Sequence, residues 1–324
     1  MEDALFYTCL SLITFLIAFK FFILQYRSPY KSLPPGPFSL PIIGHLHLLK
    51  PPVHRTFQRL SQNYGPIFTL WFGSRRVVVV SSPSAVEECF TKNDIVLANR
   101  PRLLMGKHVN YNYTTVVVSP YGDHWRNLRR IGSLEIFSST RLNMFLGIRK
   151  DEIMSLLRKL SRNSLEDFAK VEMKSLLTEL TFNIIMRMVA GKRYYGDDVT
   201  DKEEAQNFRE VIQEVFESSG ATNPGDFLPS LKWIGHERRI EKLAKKSDHL
   251  LQDLIEEHRR NEGSRNTIID HLLSLQHSQP EYYTDKIIKG FVLLKQTNGV
   301  WAPRDSEKLL SSQSIQQQDE NGTI

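Results

Sequence analysis

The apolar positions divide the chain into one unbroken hydrophobic run, a short β-type region and a long series of helical segments. From Ala4 to Leu24 the only charged residue is Lys20. At about 1.5 Å of rise per residue, such a helix can cross a hydrocarbon core of about 30 Å. Residues 1–26 are therefore predicted to form a transmembrane anchor. A cleaved signal peptide is the alternative, but such peptides start with basic residues, whereas Glu2 and Asp3 come first here.

The residues after this run predict the orientation of the chain and a stiff connection to its body. Arg27 and Lys31 lie on the C-terminal side, so the positive-inside rule predicts a body that faces the cytosol. Residues 27–44 contain Leu33-Pro34-Pro35-Gly36-Pro37. Proline fixes φ and has no N–H, so this segment is predicted to be a proline-rich hinge without helix or strand. A ligand for an SH3-type domain is the alternative interpretation of such a run.

A β-hairpin is predicted next, followed by a capped helix. Ile67–Phe72 and Val77–Val80 are rich in β-branched and aromatic residues, and the four residues between them, which include Gly73, predict a turn. Ser82 followed by Pro83 then predicts the N-cap of a helix that reaches about Lys92.

The rest of the body is predicted to be almost wholly helical. Arg100–Ser119 has no dominant period and predicts a long loop. Apolar residues recur at helical spacing elsewhere, over Val53–Asn63, Asp123–Leu134, Thr140–Lys159, Met173–Ala190 (closed by Gly191), Glu203–Ser218, His236–Asn261, Thr267–Leu275 and a helix that begins near Thr284. The predicted fold class is mostly α with a small N-terminal β-sheet. Residues 295–324 are rich in Gln, Ser and Asn and predict a polar, disordered tail.

Composition narrows the classes of partner. The net charge of +6 is compatible with a nucleic acid, an anionic membrane surface or an acidic protein. The basic residues come as scattered pairs rather than one long block, which argues against nucleic-acid binding. Cys9 and Cys89 are the two cysteines of the sequence, too few for a disulfide framework, and neither stands in a CxxC pair. These features are typical of a protein whose body lies in a reducing compartment.

Trp125 and Arg129 are the first candidate ligand-binding residues. They are four positions apart, so on the predicted helix both project from one face. An indole N–H and a guanidinium there can converge on one anion. Spacing alone leaves the alternative of a packed tryptophan beside a surface ion pair, and in fact favours it.

The order of anchor, proline hinge, early hairpin and helical run resembles the microsomal cytochrome P450 family. Three strings carry the resemblance: the hinge with Pro41-Ile42-Ile43-Gly44 after it, Asn99-Arg100-Pro101, and Tyr121-Gly122-Asp123-His124-Trp125-Arg126-Asn127-Leu128-Arg129-Arg130. The last is similar to the WxxxR helix of that family. The wording of all three is similar to plant members that hydroxylate isoflavonoids and related phenolics.

The resemblance implies a haem-thiolate monooxygenase of the endoplasmic reticulum membrane, which takes electrons from NADPH through a cytochrome reductase. Its substrate would be a small apolar or phenolic metabolite. Trp125 and Arg129 would bind one haem propionate and Arg100 the second. Residues 45–294 would then be the N-terminal portion of the cytochrome P450 fold. By position, Arg102–Val118 and Ser219–Trp233 would line the substrate pocket and its access channel, with Phe227, Leu228 and Trp233 able to dip into the membrane.

The resemblance also predicts which parts of the catalytic machinery are missing. In the family a cysteine in a glycine- and arginine-bearing loop near the C-terminus binds the iron. Neither Cys9 nor Cys89 stands in such a loop, and each is predicted to be a small buried hydrophobic residue. The acid–alcohol pair expected shortly after Leu294 is absent as well. The expectation is an N-terminal part that is inactive by itself. The alternative function is a non-catalytic, membrane-tethered fragment that competes for the reductase.

Overall fold

The structure is a computed structural model that describes residues 2–26, 33–163, 170–219, 223–228, 231, 235–261 and 266–293. As predicted, it is mostly helical with one small antiparallel sheet. The predicted tail, residues 295–324, lies outside the described residues. The chain divides into two compact units: Met1–Leu97 with Pro224–Ile234, and Ala98–Asn223 with Gly235–Ile324.

The regular elements follow in chain order. They are α1 (Glu2–Tyr26), a 3-10 turn (Leu46–Leu48), α2 (Val53–Tyr64), β1 (Ile67–Phe72), β2 (Arg75–Val80), α3 (Pro83–Phe90), α4 (Asp94–Leu97), α5 (Leu104–His108), α6 (Asp123–Ile131), a π-helical turn (Gly132–Ile136), α7 (Ser139–Met144), α8 (Leu146–Asn163), α9 (Met173–Ala190), α10 (Lys202–Ser219), α11 (Pro224–Phe227), α12 (His236–Arg260) and α13 (Ile268–Ser278). Residues 285–293 form a further helical stretch.

The predicted transmembrane helix over residues 1–26 is not supported. A span needs about 20 consecutive apolar residues, and in the described part of the chain no helix combines enough length with enough apolarity to cross a membrane.

In the first unit, the proline segment lies along the hairpin. β1 and β2 pair antiparallel from Ile67 opposite Val80 to Phe72 opposite Arg75. The turn therefore has two residues and not the predicted four, because the last turn residues pair with the end of β1. Residues 33–39 are neither helix nor strand, and the backbone N–H of Thr69 donates to the carbonyl oxygen of Pro35 at 2.8 Å. The proline segment is thus hydrogen-bonded to β1.

The same unit contains α11, which packs on the hairpin turn. The carbonyl oxygen of Phe227 accepts hydrogen bonds from the backbone N–H and the hydroxyl of Ser74, at 2.9 and 3.0 Å. Its ring is buried and meets Phe72 edge to face, with 5.8 Å between the ring centroids. The expectation that Phe227 dips into a membrane is therefore wrong, because its side chain is used inside the protein. Trp233 lies outside the described residues.

The second unit is a helical body around one hydrophobic core. α9 ends at Ala190 because Gly191 adopts a left-handed conformation with φ 69°, as predicted. Phe182 of α9, Tyr194 and Phe208 of α10 form an aromatic cluster, in which the Tyr194 and Phe208 ring centroids are 4.5 Å apart. Fully buried side chains from α12, α13 and residues 285–293 complete the core: Leu251, Ile255, Ile269, Leu272 and Ile288.

Two predictions about this unit are wrong in detail. The predicted loop Arg100–Ser119 contains α5, whose Leu104 and Met105 are buried in the core. The predicted helix Thr140–Lys159 is two helices, α7 and α8, separated at Phe145, where φ is −92° and ψ is 9°. Phe145 is itself buried. In both places long-range packing, which a local period does not contain, overrides the local pattern.

An ionic cluster fixes the start of the helical stretch 285–293 against α12 and α13. The Asp285 carboxylate accepts two hydrogen bonds from the Arg259 guanidinium, at 2.6 and 3.1 Å. It also accepts from the side-chain amides of Gln276 at 2.9 Å and Gln252 at 3.2 Å. Partial burial works to raise the Asp285 pKa, but these hydrogen bonds and the Arg259 charge outweigh it and lower the pKa to about 2.

We expect Asp285 to make the protein less stable as the pH falls from about 4 to about 2. Its pKa is lower in the folded than in the unfolded chain, so its contribution is present above the unfolded value and lost as the folded carboxylate is protonated. The contribution is about 1–2 kcal/mol after allowing for solvent screening. Urea unfolding at pH 5, 4, 3 and 2 should show a flatter pH dependence in Asp285→Asn and in Arg259→Met. Slopes equal to wild type in both variants would contradict the assignment.

Candidate functional site

The short helix α6 carries the candidate site. Gly122 precedes it in extended backbone, with φ 164°. Asp123 lies in its first turn, where the positive end of the helix dipole stabilises a carboxylate. Leu128 and Ile131 are buried and attach one face of α6 to the core. Trp125 is half-buried and Arg129 is exposed. The helix therefore holds Trp125 and Arg129 at the border between protein and solvent.

The indole of Trp125 is bound to the loop before α6. Its Nε1–H donates to the carbonyl oxygen of Val116 at 3.1 Å. At the preceding residue, the Nε2 atom of His124 lies 2.9 Å from the carbonyl oxygen of Thr114. Two neighbouring side chains of α6 thus dock on two carbonyl groups of the same loop, and this docking fixes the position of the indole.

Arg129 lies on the face of the Trp125 ring. Its guanidinium carbon is 5.0 Å from the ring centroid, a cation–π geometry. The structure therefore brings the two predicted residues together, but as a stack and not as two parallel donors. The alternative of a packed tryptophan beside a surface ion pair stays open: the Trp125 indole is bonded to the Val116 carbonyl, and Arg126 pairs with Asp123 on the same helix, although no described carboxylate pairs with Arg129.

Arg100 belongs to a segment that is hydrogen-bonded to the start of α6. The backbone N–H of Tyr121 donates to the Asn99 side-chain oxygen at 2.9 Å. This bond joins two segments that are far apart in the sequence, Asn99–Pro101 and Tyr121–Arg130. The Arg100 side chain is exposed, and within the part of the chain that the structure describes it has no carboxylate partner. Arg100 and Arg129 are thus two cations that carry no neutralising ion pair there.

The loop between α5 and α6 contains a strained turn. Tyr111, Asn112 and Tyr113 all have positive φ, at 48°, 56° and 63°. The left-handed conformation costs a residue with a side chain about 1–2 kcal/mol. The N–H groups of Asn112 and Tyr113 donate to the carbonyls of Lys107 and Gly106, at 2.9 and 2.8 Å. The Tyr113 hydroxyl donates to the Leu103 carbonyl at 3.1 Å, which closes the turn back onto α5.

Two spaces adjoin this loop within the second unit. A gap of about 10 Å³ lies where the loop meets residues 285–293, and its lining includes Thr115, Leu128 and Gly290. This gap is about the size of one water molecule. An open cleft of about 590 Å³ lies between the loop and α12, lined in part by His108 and Tyr111. A few residues of Arg102–Val118 thus line a wide cleft and a tight gap, and the predicted role of this segment in a substrate pocket stays a prediction.

Sequence reasoning missed several of these residues. His124 belongs to the family-like segment Tyr121–Arg130, yet its contact with the Thr114 carbonyl depends on a loop conformation that has no local signal in the sequence. Gly290 was overlooked as well. A Cβ atom at this position would lie 3.1 Å from the Thr115 methyl carbon, so a side chain would crowd the contact between loop and helix. A glycine inside an apolar helical run is the one signal that could have identified it.

The prediction that the two cysteines are small buried hydrophobic residues is wrong. Cys9 is exposed on α1 and Cys89 is half-buried on α3. Among the described residues, no group of three or more histidine, cysteine or acidic side chains is arranged to hold a metal ion.

Comparison with known proteins gives a family and a set of relatives. The family described as Cytochrome P450 matches residues 34–300. A protein named Cytochrome P450 81E8, from Medicago truncatula, is 59% identical over 290 residues, which cover 88% of this chain and 58% of that protein. An isoflavone 3'-hydroxylase from the same plant is 55% identical over 299 residues, which cover 89% of this chain and 60% of the relative.

A third relative is an isoflavone 2'-hydroxylase from Glycyrrhiza echinata. It is 55% identical over 269 residues, which cover 82% of this chain and 54% of that protein. The chain thus spans between half and two thirds of the length of these curated relatives.

We expect Gly106→Ala to destabilise the protein by about 1–3 kcal/mol. A Cβ atom there would lie 2.5 Å from two ring atoms of Tyr113. The Tyr113 ring cannot easily shift away, because this residue belongs to the strained turn. Gly147→Ala is the matched control, since Gly147 also lies on a helix but has nothing within 4 Å of its added carbon. That control should be stabilised by about 0.5–1 kcal/mol. Urea unfolding followed by circular dichroism measures both, and a Gly106→Ala variant as stable as wild type would contradict the tight packing.

Proposed function

The chain belongs to the cytochrome P450 family, and from this premise we propose that it carries the haem-propionate-binding part of a plant monooxygenase. The observation that carries the proposal is α6, where Trp125 and Arg129 are stacked at the protein surface beside the segment that contains Arg100. Two exposed cations near an indole donor suit an anionic group, and the family implies haem, whose two propionates are anionic. Haem bound through a cysteine thiolate supplies the activation of dioxygen.

The described residues fit haem in charge, and partly in hydrogen bonding. Neither Arg100 nor Arg129 is paired with a described carboxylate, so an incoming propionate meets no competing anion there. The Trp125 indole N–H is already bonded to the Val116 carbonyl. To donate to a propionate, Trp125 must give up this bond, and the loop carbonyl must find another donor or water. The role we propose for Trp125 therefore includes a local rearrangement of the loop.

The iron ligand is a separate question for this chain. Cys9 lies on α1 and Cys89 on α3, and neither stands in a glycine- and arginine-bearing loop. We therefore propose that the 324-residue chain, by itself, binds haem without a thiolate ligand and is not active as a monooxygenase. Activity would belong to a protein that contains the cysteine loop as well.

The names of two relatives support a proposal for the substrate class. Both are named isoflavone hydroxylases, one acting at the 3' and one at the 2' position. We propose that the substrate of the whole protein is a flat phenolic plant metabolite similar in size to an isoflavone. The whole protein would hydroxylate it with electrons from NADPH through a reductase. The segment Arg102–Val118 would contribute to the substrate pocket.

A second candidate function rests on the charge of α6. Arg126, Arg129 and Arg130 are all exposed on this helix, and they form a cationic surface that suits an acidic redox partner. A chain that presents this surface without oxygen chemistry would compete for the reductase. Binding of the reductase to the chain in the absence of haem would favour this function over the first.

Location at the endoplasmic reticulum membrane, with the body on the cytosolic side, stays a proposal. Its support is α1, whose exposed side chains include a series of large apolar residues: Phe6, Leu12, Phe15, Leu16 and Phe19. A helix that exposes such residues gains free energy from a lipid surface.

The haem proposal predicts that the full chain in detergent binds hemin and that Arg129→Gln weakens the binding about tenfold or more, since a charge-assisted hydrogen bond is lost. Trp125→Phe should weaken it less. Arg126→Gln is the matched control, because Arg126 is an exposed arginine of the same helix that pairs with Asp123. The measurement is a titration followed by the haem absorption band.

Two outcomes would count against it. Equal weakening by Arg126→Gln and Arg129→Gln would mean that only general charge matters. A thiolate-type band in the carbon monoxide difference spectrum of the reduced chain would show that one of the two cysteines binds iron, against the proposal.

The membrane proposal predicts that the full chain floats with phospholipid vesicles on a density gradient. Replacing Leu12 and Leu16 by aspartate places two charges on one face of α1 and should abolish most of the flotation. Wild-type chain that stays at the bottom of the gradient would rule out attachment through α1.

A further inference from the structure

A buried cation lies on the helical stretch 285–293. The Lys289 side chain is 6% exposed, and its ammonium group donates to Oδ1 of Asp248 on α12 at 2.6 Å. A buried ammonium is unfavourable unless a counter-charge and hydrogen bonds compensate for its lost hydration. Lys289 therefore holds the Asp248 carboxylate in one orientation.

The same carboxylate oxygen binds the loop before α6. The Tyr111 hydroxyl donates to Oδ1 of Asp248 at 3.0 Å. Burial and the neighbouring Asp248 charge both raise the pKa of Tyr111, so its hydroxyl keeps the proton that it donates. One oxygen atom thus joins three parts of the second unit: α12, the helical stretch 285–293 and the loop.

Tyr111 is also the first residue of the strained turn. It and the two residues after it have positive φ, a conformation that their side chains disfavour. Such a turn persists only while surrounding contacts hold it. The backbone bonds from Asn112 and Tyr113 to α5 hold its second half, and the hydroxyl bond to Asp248 holds its beginning.

The turn leads directly to the carbonyls that bind α6. Thr114 follows Tyr113 in the chain, and its carbonyl oxygen lies 2.9 Å from His124 Nε2. Two residues further, the Val116 carbonyl accepts the Trp125 indole N–H. Between these two, the Thr115 hydroxyl donates to the Asn110 side-chain oxygen at 2.9 Å, so the segment is also bonded to the residue before the turn. Four residues of backbone thus separate Tyr111 from the Val116 carbonyl that binds Trp125.

We propose that Asp248 is a positioning residue: it latches the left-handed turn at Tyr111 and thereby sets the orientation of the Trp125 indole on α6. Lys289 makes the latch rigid by fixing the carboxylate, and Tyr111 is the group that is latched. The latch acts in the protein without any ligand, so it goes beyond the proposed haem function and is tested independently of it.

Hydrogen exchange on the full 324-residue chain in detergent, without haem, tests the latch. Tyr111→Phe removes only the hydroxyl and should speed amide exchange over residues 106–118 about tenfold or more, the effect of losing a hydrogen bond to a charged group. Asp248→Asn should act in the same direction. Asp253→Asn is the matched control, since Asp253 is an exposed carboxylate of the same helix that pairs with His249 at 2.6 Å; exchange over residues 106–118 should be unchanged in it.

A second readout separates positioning from simple stability. In the chain labelled with ¹⁵N-tryptophan, the indole N–H signal of Trp125, assigned through Trp125→Phe, should shift or broaden in Tyr111→Phe and stay in place in Asp253→Asn. Unchanged exchange over residues 106–118 in Tyr111→Phe would overturn the latch. Faster exchange with an unmoved Trp125 signal would overturn the positioning role. If Asp248→Asn unfolds, which fast exchange throughout α9 would reveal, Tyr111→Phe alone decides the outcome.

Discussion

The geometry of the candidate site depends on one buried charge. Lys289 can stay inside the second unit because Asp248 neutralises it at 2.6 Å, and the orientation that this pairing gives to Asp248 determines where Tyr111 is held. The left-handed turn, the loop carbonyls and the Trp125 indole follow in sequence from that point. An apolar residue at position 289 would also suit a buried helix, but it would leave the carboxylate free to rotate. The ion pair thus fixes the conformation of the loop more than it stabilises the fold.

Local signals predicted much of the fold, where the cause of an element is itself local. α9 runs from Met173 to Ala190, because its apolar spacing and the glycine after it are both in the sequence. Ser82 caps α3 through its hydroxyl, as its position before Pro83 predicts. The failures have a common physical origin. α5 and the break at Phe145 exist because side chains far apart in sequence share a core, and no local window contains that information.

The candidate site was predictable as a pair of residues and not as a geometry. The spacing of Trp125 and Arg129 places both on one face, and the structure does bring them into contact. That the guanidinium lies on the ring, and that the indole is bonded to Val116, depends on the loop conformation, which three consecutive positive φ values define. Of these residues only asparagine is enriched at such values, and tyrosine seldom adopts them, so propensity does not predict three in a row. Sites built on strained backbone are where sequence reasoning is expected to fail.

The proline segment has a consequence for the solubility of the first unit. A two-stranded sheet has two open edges, and each exposes backbone groups to which a strand of another molecule can add. Thr69 on β1 instead donates to the Pro35 carbonyl, and a Cβ on Gly36 would lie 2.2 Å from the Thr69 oxygen, so the segment lies directly on that edge. Because Pro34, Pro35 and Pro37 have no N–H to offer, the covered edge presents little to a further strand. The β1 edge is thereby less available to a strand of another molecule, so the segment lowers the tendency of folded chains to pair at that edge.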